Sequence, residues 1–241
     1  MRKFLQKQLY LFSFLIFALI SSADLNGQTV LIDPAQGGGF ELGSTLADNG
    51  WTAVNATTDG WVVGSAPVVA TGTNCGFISN NGGASWAYSQ NSTFTHLIKE
   101  FTVPVGESKL TLTFKWKANG EGTGTTDWDN MKIFLAPTTV NPTSTAAVTG
   151  GTQISGPGST NGMYKLNSAA WNNESFSFVG VPGTTYKIIF SWKADGSGIV
   201  NPPAALDDVS LVSSEPGEFI SIATGNWNDP LTWDANAVPS V

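Results

Sequence analysis

This sequence has little of what most catalytic centres and nucleic-acid surfaces are built from. Its 241 residues contain one cysteine, Cys75, one histidine, His96, and one arginine, Arg2. A single cysteine cannot close an internal disulfide, so the fold must hold by its core, with metal ions as the available supplement. Cys75 itself reads as a small buried apolar residue. A single histidine leaves no zinc triad, and neither a Gly-x-Ser-x-Gly elbow nor a Cys-His-Asn set is present. His96 alternates with Leu97 and Phe101 in a strand pattern and reads as a surface or edge residue. Charged residues are only 12% of the chain, about half the typical ~25%. Lysine is the only cation after Arg2, so the bidentate phosphate readers and the positive stripe of a nucleic-acid binder are missing.

Long apolar runs are also scarce. The one that exists lies between Leu9 and Ile20, behind Arg2, Lys3 and Lys7 and ahead of the small residues Ser21-Ser22-Ala23. It is shorter than the ~20 residues a membrane span needs and reads as a secretory signal over 1–23, with a second cleavage point as late as Gly27. An extracellular or cell-surface protein without membrane insertion is expected. Removing those three cations takes the formal charge from −7 to −10, since no acidic residue precedes Asp24.

What is abundant is period-two alternation, and no window after the signal has helical spacing over three turns. Leu110, Leu112, Phe114 and Trp116 fall on one strand face, with Thr111, Thr113, Lys115 and Lys117 on the other; Ile188, Phe190 and Trp192 alternate with Lys187, Ser191 and Lys193 in the same way. One face is expected to be core and the other water. Shorter candidates are 30–32, 51–54, 61–63, 76–79, 86–88, 96–103, 132–135, 163–166, 175–179 and 209–212, separated by turn signals such as Asn49-Gly50 and Pro182-Gly183. This predicts an all-β, antiparallel β-sandwich of jelly-roll type over 30–213. A stretch rich in Thr, Ser, Gly and Pro, 137–162, reads as a surface excursion with an edge strand at 146–148. A linker over 214–224 and the truncated start of a second module over 225–241 follow.

The chain also repeats itself. Phe114-Lys-Trp-Lys-Ala-Asn-Gly-Glu-Gly122 and, six residues on, Asp129-Asn-Met-Lys-Ile133 are echoed by Phe190-Ser-Trp-Lys-Ala-Asp-Gly-Ser-Gly198 and, eight residues on, Asp207-Asp-Val-Ser-Leu211. Each copy is a strand, a Gly-rich acidic loop, and a strand opening on a carboxylate. A half of ~75 residues would struggle to bury a core alone, so the echo predicts pseudo-symmetry within one sandwich. In the echo Trp128 aligns with Leu206, which assigns Trp128, like Trp116 and Trp192, to packing; Lys117 and Lys193 read as solvent-facing strand ends.

Phe40-Glu-Leu-Gly43, Asn49-Gly-Trp51, the strand from Leu110 to Trp116 and Leu206-Asp-Asp-Val209 resemble the cleaved-adhesin and choice-of-anchor domains of bacterial surface proteins, relatives of MAM-like and galactose-binding-like jelly rolls. The resemblance spans residues 32–213, and unpaired Cys75 favours its bacterial branch over the disulfide-bonded animal MAM domains. It implies a structural Ca2+ shared by Glu41 and Asp207. Parity supports an inward Asp207, which shares a strand face with Val209 and Leu211, and an inward carboxylate must be paired or metal-bound. The other reading of these two is carboxylates capping backbone amides at a sandwich edge. Asp129, the counterpart of Asp207, sits with Glu121 and Asp127 in a loop whose spacing fails the EF-hand rule at Met131; it is a second metal candidate, or part of a solvated acidic loop. The segment from Gly225 to Trp233 resembles the opening of a module repeated in large secreted proteins of Gram-negative bacteria.

Aromatic faces stack on sugars, and Trp61, Trp86 and Trp171, beside Gly, Ser and Asn, are the ligand-binding candidates, with loop anchoring as the alternative. Asp127, Asp129, Asp207 and Asp208 could in principle supply a glycosidase pair, but no cleft between them is legible. The expected function is a secreted, non-catalytic adhesion or carbohydrate-binding module of a larger bacterial surface protein, with a glycan or a host or cell-surface protein as partner. The alternatives are an architectural spacer, or an accessory domain of a secreted hydrolase.

Overall fold

The computed structural model describes residues 28–215 and 224–226. The signal segment and most of the expected second module lie outside the described residues. Eleven strands are formed: β1 (Thr29–Ile32), β2 (Thr52–Val54), β3 (Gly60–Gly64), β4 (Cys75–Ser79), β5 (Ser92–Thr102), β6 (Lys109–Ala118), β7 (Asn130–Pro137), β8 (Thr152–Ile154), β9 (Asn167–Val179), β10 (Thr185–Asp195) and β11 (Ala205–Ser214). They make two antiparallel sheets. The first runs β3-β4-β11-β6-β9 with β1 also on β11, and the second runs β2-β5-β10-β7-β8. Consecutive strands alternate between the sheets from β4 to β7 and from β9 to β11, the wiring of a jelly-roll sandwich.

The sequence echo is the pseudo-symmetric centre of this sandwich. β6 of the first copy pairs with β11 of the second, and β10 of the second pairs with β7 of the first. Each copy is therefore an arch that leaves one sheet and enters the other. The counterparts Phe114 and Phe190 meet edge-on across the core, 5.5 Å between ring centroids, a favourable aromatic geometry. Trp116 and Trp192 are both buried, as alternation predicts. Cys75 is buried and free.

Two segments overturn the expectation that the outer faces meet water. Residues 138–150 strap across the second sheet, where Val148 packs with Ile98, Phe134 and Ile189. His96 is consequently fully buried, its Nε2 3.0 Å from the carbonyl of Thr143. Burial lowers its pKa. Residues 65–74 cover the first sheet above Cys75, Phe77 and Ala205. Lys117, expected in solvent, is buried there between Trp86 and Trp171, its Nζ 5.8 and 5.2 Å from the two rings. Residues 86–88 and 146–148 form no strand, and 163–166 contributes isolated bridges, Tyr164 to Met131 and Met163 to Thr160.

Candidate functional site

Both arches lie at the same end of the sandwich, because the last residues of β6 pair with the first of β11 and the last of β10 with the first of β7. The amide of Asn119 in the first arch donates to Pro202 in the second at 2.8 Å. The motif glycines Gly120 and Gly196 have φ of 71° and 90°, the left-handed region that side chains resist. A Cβ on Gly120 would also lie 2.3 Å from the carbonyl oxygen of Asp129. The glycine thus lets the arch close tightly enough for the amide of Glu121 to bond that carbonyl at 3.0 Å. Buried Lys165 pins the same loop through the carbonyls of Glu121, at 3.2 Å, and Thr126.

This closure gathers three carboxylates, Glu121, Asp129 and Asp195, with oxygens all within 4.8 Å of one another. Asp129 is fully buried; its Oδ1 accepts the Asp195 amide at 2.8 Å and its Oδ2 accepts the Tyr88 hydroxyl. That hydroxyl accepts in turn from the amide of Val200 at 2.9 Å. Glu121 Oε2 is shielded from solvent and has no hydrogen-bond partner among the described residues. Burial, opposed by the Tyr88 and Asp195 bonds, raises the pKa of Asp129; burial and then the charges of Asp129 and Asp195 raise that of Glu121. Carboxylates so placed repel one another unless protonated or joined by a cation. The triad could hold a metal ion.

Asp207 has a different setting. A register break lies between Asp207 and Ser210 on β11, with Asp208 at φ 48°. Such a bulge shifts the side-chain alternation. Leu206, Val209 and Leu211 face the inter-sheet core, whereas Asp207 opposes Lys115 of β6. The parity argument therefore fails, because Val209 and Asp207 do not share a face. Asp207 is nonetheless fully buried, under the 65–74 strap. Its Oδ2 accepts the amides of Ala70 and Thr71 at 3.0 and 3.1 Å, and Oδ1 accepts the Asp208 amide at 2.8 Å. Burial still pushes its pKa up to about 6. Glu41 reaches the same strap from outside, its Oε1 accepting the amides of Thr73 and Asn74, both at 2.7 Å. Both carboxylates act as amide acceptors for one segment. Asp208 pairs with Lys115 at 2.7 Å.

The expected sugar contacts are divided by the fold. Trp61 is buried, with its indole nitrogen 3.4 Å from the Thr95 carbonyl, and offers no face to a ligand; β3 turns it into the core. Trp86 and Trp171 are half-buried around Lys117, and each indole N–H donates to a carbonyl, Pro203 and Val68, at 2.9 Å. Trp128, assigned to packing through Leu206, is instead 45% exposed. The reason is position: Leu206 lies inside β11, whereas Trp128 lies in the arch before β7 begins. Its loop composition, between Thr126-Asp127 and Asp129, was the signal that the alignment with Leu206 obscured. Next to it Asp127 binds Lys132 at 2.6 Å and lies 3.6 Å from Lys193.

No protein-family model and no curated protein sequence matches the chain. Among solved structures it is similar to TmCBM61 in complex with β-1,4-galactotriose (15% identity, 74% of this chain and 97% of that one, TM-score 0.42). It is also similar to a cyclase from Fischerella sp. TAU (14% identity, 78% and 98%, TM-score 0.48). A third is the K1 cleaved-adhesin domain of Lys-gingipain from Porphyromonas gingivalis W83 (16% identity, 69% and 91%, TM-score 0.38). The structural neighbours thus include a cleaved-adhesin domain and a carbohydrate-binding module, the jelly-roll type the sequence motifs resemble.

Proposed function

We propose that this chain is a non-catalytic carbohydrate-binding or adhesion module of an exported surface protein, with its ligand end at the arches and Ca2+ held by Glu121, Asp129 and Asp195. The observation that carries the reading is Trp128. Its indole is exposed on the same loop that supplies two of the three clustered carboxylates, beside the polar group Asp127, Lys132 and Lys193. An exposed aromatic face with convergent polar groups is the usual make-up of a sugar-contacting surface. A hard cation suits all-oxygen donors, and Ca2+ takes 6–8 of them, so three carboxylates leave positions for water or ligand hydroxyls.

The non-catalytic part of the proposal rests on how the candidate acids are engaged. Asp207 is held by three amides, Asp208 by Lys115 and Thr71, and Asp127 by Lys132. For export, the support is the basic-then-apolar leader of the sequence.

The test is a glycan array with the full chain and Trp128→Ala, using β-1,4-galactotriose, the ligand of one structural neighbour, as the first solution probe. Binding lost in the variant with an unchanged melt supports the reading; binding retained sinks Trp128 as the contact. The architectural-spacer reading is favoured by the engagement of Trp61, Trp86 and Trp171 in internal contacts. It would be preferred if the wild-type chain bound no glycan and no surface protein.

A further inference from the structure

Beside the arch, on the outer face of the second sheet, lies a cavity of about 110 Å³ closed on one side by the 138–150 strap. Strand pairing builds it. Lys193 of β10 pairs with Phe94 of β5 on one side and with Asn130 of β7 on the other, and Ser191 pairs with Lys132 in the next row. Phe94 forms an apolar wall, and Asp127 reaches in from the arch to Lys132.

Its hydrogen-bond inventory is unbalanced in a particular way. Asn130 is fully buried and spends its amide protons on Asp127 Oδ1, at 2.9 Å, and the carbonyl of Trp128, at 3.2 Å, while its own Oδ1 has no partner among the described residues. A buried acceptor left unmade is destabilising, and a ligand donor would relieve it. Each ammonium carries three protons. Among the described residues the Lys132 ammonium donates to Asp127 Oδ2, and that of Lys193 donates to the Asp127 carbonyl and lies 3.6 Å from Oδ1. Two ammonium groups and one carboxylate line the cavity, in a chain whose net charge is −7.

A complementary ligand therefore brings an anionic acceptor for the lysines and, next to it, a donor for Asn130. The cavity is well below the ~300 Å³ of a pocket that swallows a whole drug-sized molecule, so one substituent enters while the rest stays outside. A sugar acid meets these terms: its carboxylate is the anion and a neighbouring hydroxyl is the donor. We infer that the cavity formed by Phe94, Asp127, Asn130, Lys132, Ser191 and Lys193 selects a uronic-acid residue of an acidic glycan. This rests on the carbohydrate-binding reading above and gives it a substrate class.

The experiment is calorimetric titration of the full chain with digalacturonate and, separately, with neutral galactobiose. The acidic disaccharide should bind about tenfold or more tightly, the scale of a partly desolvated charge pair, and the preference should weaken with added salt. Lys132→Gln and Lys193→Gln, both at partly exposed positions, should each lower the affinity for digalacturonate by more than the affinity for galactobiose, so that the preference narrows. Equal affinity for the two disaccharides, or an unchanged preference in both variants, overturns the inference while leaving carbohydrate binding in place. Displacement of digalacturonate by sulfate at equal concentration also overturns it, by showing a simple anion site. Binding of neither disaccharide, with no hit on the glycan array, removes both readings together.

Discussion

Asp129 and Asp207 hold the same place in the two copies of the repeated stretch, and both are fully buried at the arch end of the sandwich. Their surroundings have diverged. Asp207 is met by three backbone amides from its own strand and the 65–74 strap, which offset part of the cost of burying its charge. Asp129 is met by one amide, one phenol and two further carboxylates, a setting that leaves negative charge in excess. A repeated carboxylate thus marks a place where the backbone must be tied, and its neighbours decide whether amides or a cation complete the tie.

The largest test of this contrast removes the amide acceptor. Asp207→Ala should destabilise by about 2–3 kcal/mol, since the part-buried amides of Ala70 and Thr71 lose their partner. Chemical denaturation reads it, and the variant should keep its response to Ca2+. A loss under 1 kcal/mol would mean that the strap does not depend on Asp207.

Next in size is the cation. Saturating Ca2+ at about 100 times its dissociation constant adds ~2.7 kcal/mol, which for a chain of this size raises the melting temperature by roughly 5–10 °C. Asp129→Asn should abolish that gain, and in EDTA it should melt no lower than wild type, because it removes one of three repelling charges. A melt that ignores both Ca2+ and EDTA would strike the triad from the account.

A smaller effect follows pH. The pKa of Asp207 is raised to about 6 in the fold from an ordinary value near 3.8, so between those values the folded state binds more protons than the unfolded state. Stability without Ca2+ then falls as pH rises through this window and is recovered on acidification. Melting in EDTA should be higher at pH 5 than at pH 7, and Asp207→Asn should flatten the difference. Glu121 and Asp129, also raised, add in the same direction; Ca2+ competes with their protons, so its stabilisation should shrink at the lower pH. The smallest change is Trp128→Ala. At an exposed loop position its stability effect should stay within about 0.5 kcal/mol, leaving any binding loss attributable to the contact.

How much of this was written in the chain depends on the distance over which a residue's setting is decided. Strands β6 and β10, their core residues Trp116 and Trp192, and the two arches follow from local alternation and from the echo, because burial on one sheet face imposes a period of two. The bulge at Asp207 and Asp208 defeats the same logic, since one extra residue changes the face and no turn residue announces it. The straps were illegible for a different reason. Lys117, His96 and Ile189 alternate as solvent-facing positions should, and they are buried only because segments 65–74 and 138–150 fold back across the sheets. The triad lay half in view: Glu121 and Asp129 share a loop, but Asp195 joins them through the pairing of β10 with β7. Trp128 was hidden by too strong a reading of the repeat, which is symmetric in its strands and not in its loops.

The measurement that tests the central claim most directly is calorimetric titration of Ca2+ into wild type, Asp129→Asn and Asp207→Asn side by side. The account predicts that wild type and Asp207→Asn bind the ion alike and that Asp129→Asn does not bind it. Normal binding by Asp129→Asn together with loss in Asp207→Asn would contradict it, and would return the cation to Asp207 and Glu41.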